Sequence, residues 1–311
     1  MPKILFAALP ERWATYEPHL RQALADAGVT DADLVLAADP AEVDYIVYAP
    51  NSDVQDFTPY TRLKAVLNLW AGVEDVAPNT TLAVPLARMV DEGLTEGMVE
   101  WCVGHVLRHH LGMDAHIHGQ DGVWRNGDVP PLARDRAVGI LGLGALGQDV
   151  AKALAALRFD VGGWARSEKS IAGVRTFHGP DGLDKILSRS EILVLLLPDT
   201  PATRNVLNAD RMARLPRGAV IINPGRGPLI DDEALIVALN SGQIAHATLD
   251  VFREEPLPET HPFWAHPGVT VTPHIASETR PDTASQVIAE NIRRGEAGEP
   301  FLHLVDRTLG Y

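Results

Sequence analysis

The sequence predicts an α/β chain built on two doubly wound parallel sheets, and three observations carry that expectation. Short β-rich runs alternate with helical segments from end to end, the pattern of parallel strands covered on both faces. A long helical stretch near 95–111 separates one series of strands from a second. The second series opens on an apolar strand that runs straight into three glycines and a helix.

In the first series Lys3–Ala8, Asp44–Ala49 and Lys64–Leu69 read as strands, with a helix over Pro18–Ala27. The helix Thr95–Leu111 leads into a polar arm that ends at Arg136 and carries Ile117, Val123, Trp124 and Val129 outside any evident element. Strands at 137–141, 160–164, 191–197, 218–222, 245–250 and 268–272 then make six, enough for a full dinucleotide-binding sheet. A last helix, Pro281–Arg294, is expected to return to the first part, so the expected domains are 1–97 with 281–311, and 98–280. A ligand is expected in a cleft between them, at the C-terminal ends of the strands.

Composition narrows the classes. With 311 residues, 46% of them hydrophobic, the chain can bury the cores of two domains. A formal charge of −14 argues against nucleic acid and anionic membranes. It also means that an anionic ligand needs positive groups concentrated where it binds. No apolar run reaches the 18 or so residues of a membrane span, and the start lacks the h-region of a secretory signal, so a cytoplasmic protein is expected. The single cysteine, Cys102, excludes an intrachain disulfide and reads as a buried thiol. Twelve histidines occur without an H-E-x-x-H or cysteine spacing, so no metal is expected.

The stretch Gly142-Leu143-Gly144-Ala145-Leu146-Gly147, set between strand 137–141 and a helix at Gln148–Arg158, has the form of a dinucleotide-binding turn. Gly142 permits the tight reversal, Gly144 lets backbone approach a pyrophosphate, and Gly147 lets helix and strand pack closely. N–H groups at the helix start, around Ala145 and Leu146, point at phosphate. Asp160, about where a ribose-binding acid is sought, lies at the start of its strand and so at the wrong edge. The other end of that strand reads Arg166-Ser167-Glu168-Lys169. Arg166 can pair with a 2′-phosphate and stack on adenine, Ser167 can donate to it, and Lys169 adds charge, so NADP is expected over NAD.

Three later strands end in polar residues on the same edge: Asn223-Pro224-Gly225-Arg226-Gly227, Asp250 to Pro258, and Pro273-His274-Ile275-Ala276-Ser277. An arginine, a carboxylate and a histidine beside a nicotinamide suit hydride transfer to the carbonyl of a 2-oxo acid. His274 as imidazolium can protonate the carbonyl oxygen, Glu255 would favour the charged ring and orient it, and the Arg226 fork can hold a carboxylate.

These segments, with Leu69-Trp70-Ala71-Gly72-Val73, resemble the D-2-hydroxyacid dehydrogenases over nearly the whole chain. The resemblance implies a Rossmann-type cofactor domain inserted in a flavodoxin-like substrate domain, and Arg226, Glu255 and His274 as catalytic residues. It further implies that Asp250 contacts the nicotinamide carboxamide and that the backbone of Ala71, Gly72 and Val73 binds the substrate carboxylate. Met98 to Trp101, His105 to Arg108 and His261 to Trp264 are similar to the short bacterial glyoxylate/hydroxypyruvate reductases. Two departures from that subgroup, Trp70 and Tyr48, bear on the substrate pocket. The expected activity is NADPH-dependent reduction of glyoxylate and hydroxypyruvate by a homodimer paired through the 111–136 arm. Two alternatives stay open: a reductase of bulkier 2-oxo acids such as phenylpyruvate, with Trp70 and Trp264 as aromatic walls, and a cofactor-sensing, corepressor-like binding protein.

Overall fold

The computed structural model describes residues 1–127 and 129–310. The chain divides into two compact units, Met1–Leu94 with the segment from Glu278 onward, and Thr95–Ser277. Both divisions fall three residues before the expected boundaries.

The first unit holds one parallel sheet of β1 (Lys3–Ala7), β2 (Asp33–Val35), β3 (Tyr45–Tyr48), β4 (Ala65–Asn68) and β5 (Leu86–Ala87) in the order β2-β1-β3-β4-β5. This is the flavodoxin-like winding. Alternation sends Ile4, Phe6, Tyr45 and Val47 to one core and Leu5, Ile46 and Val66 to another. The strands β2 and β5 lie outside the sequence expectation because three and two residues are too few to show a period. Helix α1 (Trp13–Asp26) starts five residues before the expected Pro18. Tyr16, Leu20, Ala23 and Leu24 form its buried stripe, whereas Pro18 lies on the exposed face, away from the core packing that holds the helix. The C-terminal helix, Pro281–Ala297, packs Ala284, Ile288, Ala289 and Ile292 into the same core as α1.

Helix α2 (Glu92–His110) runs across the division of the chain and buries Met98, Cys102 and Val106 in the second unit. Cys102 is fully buried, and burial pushes its thiol well above the ordinary range. The following arm contains a short helix, α3 (Met113–His118), so Ile117 is helical rather than irregular as expected. Its side chain and those of Val123, Trp124 and Val129 are exposed.

The second sheet contains β6 (Ala137–Leu141), β7 (Asp160–Ala165), β8 (Arg175–His178), β9 (Ile192–Leu195), β10 (Ala219–Asn223), β11 (Ile244–Leu249) and β12 (Val269–Val271). Its order, β12-β11-β10-β9-β6-β7-β8, is the Rossmann winding extended by one strand. Seven strands stand where six were expected. The extra one, β8, is a half-exposed edge strand whose Arg-Thr-Phe-His sequence offers no apolar run. Strand order reverses between β6 and β9, and connections leaving their C-terminal ends run in opposite directions. A crevice at that point is the usual ligand position in such sheets. Among the described residues no helix is long and apolar enough to cross a membrane, and no group of three or more His, Cys, Asp or Glu could hold a metal ion.

Candidate active site

The glycine turn follows β6 at the reversal of strand order. Gly142 has φ +107°, and a β-carbon there would lie 2.4 Å from the Leu196 carbonyl oxygen, so both backbone angle and the neighbouring strand end demand glycine. A β-carbon on Gly147 would lie 1.8 Å from the oxygen of Gly142, which locks helix α4 (Ala145–Ala156) onto the turn. At Gly144 it would meet nothing within 4 Å. That glycine is therefore not required by protein packing, and the room beside it suits a pyrophosphate. α4 begins three residues before the expected Gln148, so the N–H groups of Ala145, Leu146 and Gly147 occupy its first turn, where no intrahelical acceptor exists. The residues present thus fit a dinucleotide.

Asp160 pairs with Ala137 at the start of β6 and forms ion pairs with Arg189 at 2.5 Å and Arg175 at 3.6 Å, a structural use at the edge away from the glycine turn. Arg166, Ser167 and Lys169 follow the opposite end of β7 and are exposed.

The polar strand ends come together. Asn223, the buried last residue of β10, donates from Nδ2 to the Arg226 carbonyl at 2.9 Å and accepts from the Gly225 N–H at 3.1 Å. A β-carbon on Gly227 would lie 2.0 Å from the Phe252 carbonyl carbon, so this turn sits directly against the segment after β11. There Glu255 accepts the Phe252 N–H at 2.8 Å through Oε1, and its Oε2 lies 2.7 Å from Nδ1 of His274. The Glu255 hydrogen bond is the largest influence on His274 and holds its pKa above the ordinary histidine value, against burial and the Arg226 charge. Burial works to raise Glu255, but the bonds from His274 and Phe252 and the charges of His274 and Arg226 outweigh it and bring its carboxyl below the usual range.

His274 has a left-handed backbone, φ +54°, a conformation uncommon for a residue with a β-carbon. Asp250, fully buried, holds it there. Its carbonyl accepts the His274 N–H at 2.8 Å, Oδ1 accepts Thr272 Oγ1 at 2.6 Å and the Ile275 N–H at 3.0 Å, and Oδ2 accepts the Ala276 N–H at 2.8 Å.

In the first unit the turn after β4 is shaped by Asn68, whose buried Nδ2 donates to the carbonyls of Trp70 and Gly72, both at 2.9 Å. Trp70 is 40% exposed and Val73 buried. Tyr48 is a core residue, its ring edge-on to Phe57 with centroids 5.5 Å apart.

Residues 102–276 match the family model for D-isomer specific 2-hydroxyacid dehydrogenase, NAD binding domain. The chain belongs to this dehydrogenase family. The dehydrogenase is 42% identical over 282 residues to glyoxylate/hydroxypyruvate reductase A of Photorhabdus laumondii, covering 88% of this chain and 89% of that protein. Its similarity to the same-named protein of Yersinia enterocolitica is 40% over 283 residues, with the same coverage. Among solved structures, a D-isomer specific 2-hydroxyacid dehydrogenase of Xanthobacter autotrophicus in complex with NADPH and MES superposes with a TM-score of 0.93 at 41% identity, covering 100% of this chain and 99% of that one. The NADPH-dependent glyoxylate/hydroxypyruvate reductase of Sinorhizobium meliloti in complex with NADP and sulfate gives 0.88 at 35%, with full coverage of both chains.

The bracing roles of three residues of this dehydrogenase escape the sequence reading: Asn68, Asn223, which it names only as a polar strand end, and Thr272. The first two each close an otherwise apolar strand, Ala-Val-Leu-Asn and Ala-Val-Ile-Ile-Asn, a signal that was available. Thr272 carries no such signal, because its partner Asp250 is 22 residues away in the chain.

Proposed function

We propose that this dehydrogenase reduces small 2-oxo acids, glyoxylate and hydroxypyruvate foremost, to 2-hydroxy acids with NADPH. The observation that carries the reading is the 2.7 Å contact of His274 with Glu255, with the charge of Arg226 acting on both. When bound, the nicotinamide supplies the hydride. His274 has Nδ1 committed to Glu255, so Nε2 delivers the proton to the carbonyl oxygen as negative charge builds there, and Glu255 favours the imidazolium and fixes the ring. Arg226 offers a planar fork that polarises the carbonyl and pairs with a carboxylate, which an ammonium cannot reproduce. The turn Ala71, Gly72, Val73, with Trp70 beside it, takes the substrate carboxylate on its N–H groups, making the first unit the substrate-binding domain.

The second unit is the cofactor domain. Gly142, Gly144, Ala145, Leu146 and Gly147 cradle the pyrophosphate, whereas Asp250, fully buried with both oxygens bonded to its own loop, braces the nicotinamide side of the site from behind instead of meeting the carboxamide directly. Arg166, Ser167 and Lys169 select the 2′-phosphate. NADPH or NADP in the similar Xanthobacter and Sinorhizobium structures supports that choice. The exposed Ile117, Val123, Trp124 and Val129 support a homodimer joined through the arm, because a monomer leaving them in water would risk aggregation. The test is a panel of 2-oxo acids assayed with NADPH and with NADH. Consumption of NADPH with glyoxylate and hydroxypyruvate is expected, and failure with every 2-oxo acid overturns the reading.

A further inference from the structure

We propose that Arg253 is a positioning residue that fastens the loop carrying Glu255 so that Glu255 can orient His274, an inference that rests on the reading of His274 as proton donor. The residues from Arg253 to Pro256 are all exposed, so core packing does not fix this stretch. Glu255 must nevertheless keep Oε1 on the Phe252 N–H at 2.8 Å and Oε2 on Nδ1 of His274 at 2.7 Å. A carboxylate on an exposed loop keeps two such bonds only if the loop is held by something other than burial.

The Arg253 side chain supplies that hold. Its Nη2 donates to the Ile230 carbonyl and to Oδ1 of Asn205, and lies 3.5 Å from the Pro228 carbonyl oxygen. Its Nε lies 3.5 Å from Oδ1 of Asp232, in the first turn of the helix Asp232–Asn240. These partners form a well-bonded base. Ile230 is buried in the same core as Leu207 and Leu229. The Asn205 N–H donates to the Pro228 carbonyl at 2.8 Å, the Leu207 N–H to the Leu229 carbonyl at 3.0 Å, and the Asp231 N–H to the Leu207 carbonyl at 3.1 Å. Asn205 itself has a left-handed backbone, φ +51°, which asparagine adopts more readily than most residues.

The base directly follows Arg226 in the chain, and Gly227 is where it abuts the loop, since a β-carbon there would lie 2.0 Å from the Phe252 carbonyl carbon. Arg253 is the next residue after Phe252, so its fork ties the start of the loop to this base two residues before Glu255. Several acceptors met by one planar head suit a guanidinium, and an ammonium on a shorter reach can serve only some of them. The groups that act on His274 are Glu255 and Asp250, which raise its pKa, and Arg226, which lowers it, with the Glu255 hydrogen bond the largest. A loop that drifts from its base therefore weakens the one bond on which the charge and orientation of the ring chiefly depend.

The experiment compares wild type, Arg253→Met and Arg253→Lys, alone and combined with Glu255→Gln, in the reduction of glyoxylate with NADPH. Arg253→Met keeps an apolar stem and removes the fork. It should lower kcat by about tenfold, leave KM for NADPH within about twofold of wild type, and move the alkaline limb of the kcat/KM profile to lower pH, with Arg253→Lys in between. In the Glu255→Gln background the same change should lower kcat by less than about twofold, because the group it positions is already lost. Should Arg253→Met fail to fold, Asn205→Gly keeps the left-handed backbone, removes one acceptor and should shift the limb in the same direction. A readout independent of turnover is the His274 ring resonance, identified by its loss in His274→Asn, which should titrate at lower pH in Arg253→Met. An unchanged kcat and limb, losses that multiply in full with those of Glu255→Gln, or an unmoved His274 titration overturns the inference. Those outcomes leave wild-type turnover standing. A wild type that reduces no 2-oxo acid removes the underlying reading instead, and the His274 titration then decides whether Arg253 positions Glu255.

Discussion

Thr272 donates its hydroxyl to Oδ1 of Asp250 at 2.6 Å, and the same carboxylate receives the N–H groups of Ile275 and Ala276. Together these bonds hold the loop on which His274 adopts its left-handed backbone. Thr272→Val keeps the shape but removes the donor, leaving a buried carboxylate short of a partner at a cost of about 1–3 kcal/mol. The expected result is a fall in kcat of roughly tenfold with little change in NADPH affinity, restored by Thr272→Ser. Wild-type turnover in the valine variant would show that the remaining two bonds suffice.

His274→Asn should lower kcat by about 10² to 10⁴-fold while NADPH still quenches protein fluorescence, because only the proton donor is lost. Glu255→Gln tests the source of the raised histidine pKa. Reduction needs His274 protonated, so the rate is lost as pH rises through its pKa. Since the Glu255 bond is the largest influence raising that pKa, the alkaline limb of the kcat/KM profile should move to lower pH in the variant. An unmoved limb would assign it to another group.

Cofactor choice should turn on Arg166. Arg166→Asp removes the partner of a 2′-phosphate and adds a like charge beside it, while offering an acceptor to an unphosphorylated ribose. The ratio of kcat/KM for NADPH over NADH should fall by at least about tenfold, taking 1.5–3 kcal/mol for a charge-assisted bond. A wild type that already prefers NADH would assign Arg166 to the solvated surface.

A fourth expectation concerns acid stability. His109 and His246 pack with ring centroids 4.9 Å apart, and their Nε2 atoms meet the hydroxyls of Thr248 and Thr270, each at 2.8 Å. Burial, reinforced by the charges of His246, Arg108 and His105 against that of Asp114, pushes His109 down to about 3, and burial also lowers His246 and His105. The unfolded chain binds protons at these sites near 6.5, which the folded one refuses. Their contribution is therefore present above pH 6.5 and lost as pH falls from there toward 3. His274, with its raised pKa, acts in the opposite sense, but it is one group against three. The drop in Tm between pH 7.5 and pH 5 should be at least about 2 °C smaller in His109→Gln than in wild type. Equal drops would place acid sensitivity elsewhere.

The features legible in the chain before it folds are those that depend on near neighbours. The apolar runs of β1, β3, β4 and β6 and the Gly142–Gly147 turn are set by side-chain alternation and by backbone angles that few residues but glycine adopt. The polar residues Arg226, Asp250 and His274 were legible for the same reason, since each lies within a few residues of the C-terminal end of a strand. Tertiary structure decided what depends on distant partners. β2, β5 and β8 are strands because a neighbour supplies their hydrogen bonds, and α1 continues through Pro18 because its opposite face is buried against the C-terminal helix. The holding roles of Asn68, Asn223 and Thr272 likewise appear only once loops fold back on the strand ends. The contact of Asp250 with Ala276 spans 26 residues, and no local preference encodes a hydrogen bond whose two ends meet only after the sheet has formed.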